Sequence, residues 1–390
     1  MPIINRIADY TPELTAWRQD LHQHPELGFQ EHRTSDFVAA RLAEWGIEVH
    51  RNIAGTGLVG VLKGQPGAGS IGLRADMDAL PMQEANQFGH ASKTPGKMHG
   101  CGHDGHTTTL LGAARYLAET RNFAGTVNFI FQPAEEGGGG GRVMVEEGLF
   151  ERFPCDAVYG IHNDPSLPLG QAAVVDGTIL AASDRVFITI QGFGGHAAKP
   201  HLAVDPVMVG AHVLVALQAV VARRVDPVDS AVLSICQFHS GSANNVIPAE
   251  AELSGTVRTL KPETRDLMEK LIAQVAEATA AAHGATAEVR YERLYPPTIN
   301  HRAQTERAAM AAAKVLGEAG VKRDLPPIMG GEDFSFLLLA RPGCFVMMGQ
   351  AGAEKGGVPV HHPLYDFNDD MLPVGASYFA SLVEQELPKG

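Results

Sequence analysis

The chain has 390 residues, more than one hydrophobic core usually organises, so two domains are expected. Its 45% hydrophobic and 19% charged residues exclude a disordered chain. A formal charge of −13, with Lys and Arg scattered rather than clustered, argues against a nucleic-acid binder.

The opening MPIINRIADYTPELTAWRQDL has no basic stretch followed by an apolar run, so no signal peptide is expected. No segment reads as the roughly 20 continuous apolar residues of a membrane helix. Cys101, Cys155, Cys236 and Cys344 are too dispersed for a disulfide framework, which points to the cytoplasm. Helical periodicity covers 11–24 and 33–45, and short apolar runs at 58–63 and 70–75 read as strands. A helix over about 105–120 leads into the strand TVNFIFQ, and strands near 157–162 and 171–176 follow. This alternation predicts an α/β fold with a mostly parallel sheet covered on both faces.

The pattern then changes. Strand 186–192, helix 203–224, strands 231–238 and 250–258, helix 262–283 and strand 286–293 give β-α-β-β-α-β, the ferredoxin-like order. YPPTIN marks the return to helix and strand alternation. The expectation is a discontinuous catalytic domain, 1–182 plus 295–390, interrupted by a small domain at 183–294. The insert's helices and edge strand would suit pairing with a second copy. The only low-complexity stretch is the glycine run Gly137–Gly141.

Chemistry concentrates in MHGCGHDGH, which packs His99, Cys101, His103, Asp104 and His106 into nine residues before a helix. Thiolate and imidazole together suit Zn²⁺ and related transition metals. The plainer alternative is a turn in which Asp104 caps the helix and the histidines face solvent. QPAEEG places Glu135 and Glu136 after a strand, where sites of open α/β sheets lie. Adjacent side chains diverge, so one carboxylate can bind metal while the other faces substrate. GIHN adds His162, and VHHPLYDFND adds His361 and His362 before a proline. Asp76 and Asp78 of LRADMDALP share one strand face, as direct participants or as support behind the ligands. The set is sufficient for two divalent metals, which polarise a carbonyl and acidify water. A spare carboxylate would then move the proton.

With these residues in view, HQHPELGFQE, LRADMDALP, MHGCGHDGHT, QPAEEGGGG, GFGGHAAKPH, NVIP, GTVRT, GGEDFS and HHPLYDFND resemble one family, in order from about residue 15 to 385. It is the aminoacylase and hippurate hydrolase branch of the dinuclear metallopeptidases, to which plant auxin-conjugate hydrolases also belong. The resemblance implies metal ligands at Cys101, His103, Glu136 and His162. Its His-x-Pro pattern selects His361 over His362. It makes Glu135 the general base, sets Asp78 behind the ligands, and puts Asp76 where peptidase relatives carry a ligand. The interrupting domain resembles a lid and dimerisation domain. His196 would then stabilise the oxyanion from a partner subunit, and Asn245 and Arg258 would hold the substrate carboxylate. Without the resemblance, His196 caps its glycine-rich turn and Arg258 is a surface strand residue.

The implied activity is metal-dependent hydrolysis of N-acyl amino acids, with Zn²⁺ first and Mn²⁺, Co²⁺ or Ni²⁺ also accepted. HASKTPGK resembles hippurate hydrolases and tilts the acyl group toward an aromatic one. A dipeptidase or N-carbamoyl amino acid hydrolase would use the same site. The expected partners are a small N-acyl amino acid and further copies of the chain, as a homodimer or homotetramer through the lid. Neither nucleic acid nor membrane is expected.

Overall fold

A computed structural model describes residues 2–389 and divides the chain into two units. One comprises Met1–Gly177, Ile299–Pro326 and Asp333–Gly390; the other comprises Thr178–Thr298 and Pro327–Glu332. The divisions fall a few residues from the expected 182/183 and 294/295. No pattern in the sequence marks 327–332 as grouping with the second unit.

In the first unit, α1 (Asn5–Ala8), α2 (Thr11–Gln23) and α3 (His32–Glu44) precede a hairpin of β1 (Glu48–Ile53) and β2 (Gly57–Lys63). Then come β3 (Gln65–Asp76), α4 (His103–Thr120) and β4 (Ala124–Gln132). The short segments α5 (Glu135–Gly138), α6 (Gly140–Glu146) and α7 (Leu149–Arg152) lead to β5 (Ala157–Pro168). The strand expected over 171–176 shrinks to the two residues of β6 (Ala172–Ala173); β7 (Gly177–Leu180) follows, with all but its first residue in the second unit.

The second unit contains β8 (Ala182–Gln191), β9 (Gly195–His196), α8 (Pro206–Arg224) and β10 (Ala231–Ser240). β11 (Val246–Ile247), β12 (Glu250–Thr259), α9 (Pro262–Ala282) and β13 (Thr286–Tyr295) complete it. The four long strands form an antiparallel sheet in the order β10-β12-β8-β13. Alternation along β8 buries Val186, Ile188 and Ile190 in a core shared with Val209, Val213 and Leu217 of α8. Met268, Ile272 and Ala276 of α9 join the same core. Asp205 starts α8 by accepting the N–H of Val207 at 2.9 Å, ahead of Pro206 in the first turn. At 19 residues α8 is long and apolar enough to cross a membrane, contrary to the sequence reading. Its buried stripe of Val209, Val213, Leu217 and Val220 accounts for part of that apolarity by packing within its own unit.

The chain then adds β14 (Thr298–Asn300), α10 (Arg302–Leu316), β15 (Val321–Lys322), α11 (Phe334–Ala340), β16 (Gly343–Ala351) and α12 (Leu372–Glu386). The large sheet runs β1-β2-β4-β3-β5-β16-β6-β15. Its centre, β4-β3-β5-β16, is parallel, and the β1–β2 hairpin joins antiparallel at one edge. The runs NFIF, AVYGI and CFV are apolar throughout because these strands are buried on both faces. α4 packs against α12, α2 and β3, and α6 and α11 pack on each other and on the sheet. The parallel centre sends the ends of β3 and β4 in one direction, with Asp76 paired beside Gln132. The site is built there.

Candidate metal centre

Gly102 sets the start of α4. Its φ of +96° is left-handed, and a Cβ there would run into the side-chain oxygen of Asn163 and the hydroxyl of Tyr365. The turn before it brings Cys101 into the interior, and His103 opens the helix. Asp104 does not cap α4, as the plainer reading of MHGCGHDGH required. Its Oδ2 instead accepts from His22 Nδ1 at 2.8 Å, inside the protein.

Among the sets of donor atoms that lie within 4.8 Å of one another are Cys101, His103 and His162; Cys101, Glu136 and His361; His103, Glu135 and Glu136; and Asp76, His103 and His106. The first two share the Cys101 sulfur. His361 Nε2 is 3.1 Å from Glu136 Oε1, and the His361 N–H bonds to the Gly100 carbonyl at 2.7 Å. His362 joins none of these sets; its Nδ1 accepts from the Leu364 N–H in a local turn.

The residues behind these donors fix which atoms face inward. His103 Nδ1 donates to Asp78 Oδ1 at 3.2 Å, leaving a buried Nε2 with no hydrogen-bond partner. His162 Nδ1 donates to the Asn163 carbonyl at 2.7 Å, leaving Nε2 3.4 Å from Cys101 Sγ. Imidazoles that bind metal are oriented in this way, one nitrogen tied back and the other presented. Asp78 also accepts the N–H of Glu135 at 3.0 Å and of Glu136 at 2.9 Å. Asp76 is fully engaged, receiving Arg74 Nη1 at 2.7 Å and His106 Nδ1 at 2.6 Å. The other His106 nitrogen meets the Asn163 side chain at 2.7 Å, and Asn163 in turn donates to the Tyr365 hydroxyl at 2.9 Å.

The electrostatics favour a cation. Burial pushes the Cys101 thiol well above its usual range, and the carboxylates of Glu136, Glu135 and Asp76 push it further. Burial favours a neutral His103, yet Asp76, Asp78 and Glu136 outweigh it and raise the ring to about 10. Burial and the neighbouring His106 lower His162 to about 3, so it is neutral at pH 7. A divalent cation is what would turn this thiol to thiolate and displace the proton of His103. The donor set therefore fits a metal centre.

His196 and Asn245 belong to the second unit, on its two-residue ribbon. His196 pairs with Val246, and the Ala197 N–H bonds to the Asn245 carbonyl at 3.1 Å. Both side chains are exposed, and His196 Nδ1 accepts from the Ala198 N–H at 3.0 Å, a bond within its own turn. Arg258 lies on β12 and donates to Thr256 Oγ1 and the Val257 carbonyl; burial lowers its pKa.

Sequence reasoning did not single out Asn163, Tyr365, Arg74 or Asp333 as support. Arg74 is 1% exposed and donates to Asp76, Gln132 and Asp333, which lies far along the chain in GGEDFS. A buried charge inside the apolar strand IGLRAD is the local signal that it has fixed partners.

Residues 72–385 match the family model "Peptidase family M20/M25/M40". The chain is 41% identical to the hippurate hydrolase of Campylobacter jejuni, an alignment covering 98% of each. It is 40% identical to the N-acetylcysteine deacetylase of Bacillus subtilis over 94% of each. Among solved structures it is similar to Bacillus subtilis YXEP, described as a dinuclear metal binding peptidase from the M20 family. That match has a TM-score of 0.84 at 36% identity, over 96% of this chain and 98% of the other. The chain thus belongs to peptidase family M20/M25/M40, in the aminoacylase and hippurate hydrolase branch, whose named members hydrolyse amide bonds.

Proposed function

We propose that the protein hydrolyses the amide bond of N-acyl amino acids, with an aromatic acyl group as in hippurate preferred. The observation that carries this is the pair of donor sets sharing Cys101, with the Glu135 carboxylate within reach beside them. Cys101, His103, Glu136, His162 and His361 would hold two divalent ions, Zn²⁺ first, with Mn²⁺, Co²⁺ or Ni²⁺ accepted. When bound, such ions polarise the scissile carbonyl and lower the pKa of water.

The remaining work belongs to the chain. Glu135 takes the proton of the attacking water and returns it to the leaving nitrogen. Asp78 keeps Glu135 and Glu136 aimed apart by holding both their backbone N–H groups. His196 of the partner subunit would donate to the oxyanion, and Arg258 with Asn245 would recognise the α-carboxylate of the substrate. The aromatic preference rests on the hippurate hydrolase likeness. Pairing of copies through the second unit is supported by its exposed apolar side chains Phe193, Leu202 and Val215.

Release of glycine from hippurate, measured before and after chelation and after metal readdition, tests the reading. Chelator-sensitive release is expected. Glu135→Gln should cut kcat by about 10²–10⁴-fold while leaving metal content unchanged. No release from hippurate with metal still bound, but turnover of dipeptides or N-carbamoyl amino acids, would replace the substrate class and keep the site.

A further inference from the structure

We propose that Glu31 is a positioning residue for Glu135, its buried carboxylate gripping the backbone N–H of Ala134 and so fixing the turn that aims the base. The inference rests on Glu135 acting as the base.

Glu31 is wholly buried at the start of α3, yet its side chain makes no capping bond to that helix. Glu26 does that work instead, accepting the N–H groups of Arg33 at 2.9 Å and Thr34 at 2.8 Å. The Glu31 carboxylate is directed elsewhere. Oε1 accepts the Ala134 N–H at 2.8 Å, and Oε2 meets the Thr56 hydroxyl at 2.5 Å. Thr56 sits in the β1–β2 hairpin, which is itself tied down where the Ala54 N–H reaches Glu147 Oε2 at 2.7 Å.

Ala134 has a left-handed φ of +53°, a conformation that a residue with a Cβ adopts only when its surroundings impose it. With Asp78 taking the next two amides, three successive N–H groups, those of Ala134, Glu135 and Glu136, each end on a buried carboxylate oxygen. Carboxylates are costly to bury, and a plain surface turn needs none. Burial holds the Glu31 carboxyl above its usual range, which shows how little solvent helps it there. What such a clamp secures is the direction of the Glu135 side chain, where a misplacement of about 1 Å costs on the order of 10²-fold in rate.

The test compares Glu31→Gln with Glu31→Asp. Gln keeps an acceptor at the same reach, whereas Asp keeps the charge but falls short of Ala134. Amide hydrogen exchange at residues 134–136 should stay protected in E31Q and accelerate at least about tenfold in E31D. On hippurate, kcat should fall in the same order, with KM and metal content unchanged within about twofold. Protection and kcat in E31D equal to or better than in E31Q would overturn the proposal, as would a loss of kcat matched by a loss of metal. If the amides respond as expected but Glu135→Gln remains fully active, the assignment of the base has failed and not the clamp.

Discussion

At the scale of single residues, the centre is held by charges that pair far from where they are made. His22 lies between Asp104 at 2.8 Å and Glu84 at 3.2 Å. Burial disfavours its charge, but Asp104 and then Glu84 outweigh that and raise it to about 9, against roughly 6.5 in an unfolded chain. The folded state therefore holds this proton more tightly. Its contribution, on the order of 3 kcal/mol, is complete below about pH 6.5 and lost as pH rises through about 9. Urea unfolding across that range should show stability falling in the wild type and a flatter profile in His22→Gln. Two parallel profiles would mean that His22 is not the group responsible. Cys101 and His103 were legible as candidates because MHGCGHDGH concentrates donors in one turn, and Glu136, His162 and His361 because they follow strand-like runs or precede a proline. Glu31 and Arg18 were not, since their meaning lies in partners such as Ala134 and Asp369, which no local spacing reveals.

At the scale of elements, strong periodicity made the helices readable, although α8 begins at Pro206 behind its Asp205 cap and not at 203. β1 was missed because EVHRNI is an edge strand with mostly polar, partly exposed residues, and so lacks an apolar run. The start of α4 depended on a glycine conformation that sequence only hints at. Gly102→Ala would force a Cβ against Asn163 and Tyr365, displacing the turn that carries Cys101. We expect a loss of about 2 kcal/mol or more in stability together with weaker metal retention, read by denaturation and by metal analysis after dialysis. An alanine variant that keeps both would show that this turn has slack to spare.

At the scale of the whole molecule, carboxylates crowded around a buried thiol repel one another, and a cation held by the proposed ligands would relieve that cost. Chelation should lower Tm and expose Cys101 to thiol reagents, and readdition should restore both, with about 2.7 kcal/mol gained when free metal exceeds Kd by 100-fold. An unchanged Tm would mean that the fold draws no support from the ion. The donors span the chain from Cys101 to His361, and β16, just before the last of them, slots beside β5 in the middle of the sheet. A ribosome-bound chain can therefore present Cys101, His103, Glu136 and His162 long before His361 exists. With the ligand set proposed above, full metallation would follow synthesis, and a product truncated before residue 361 would carry an incomplete centre.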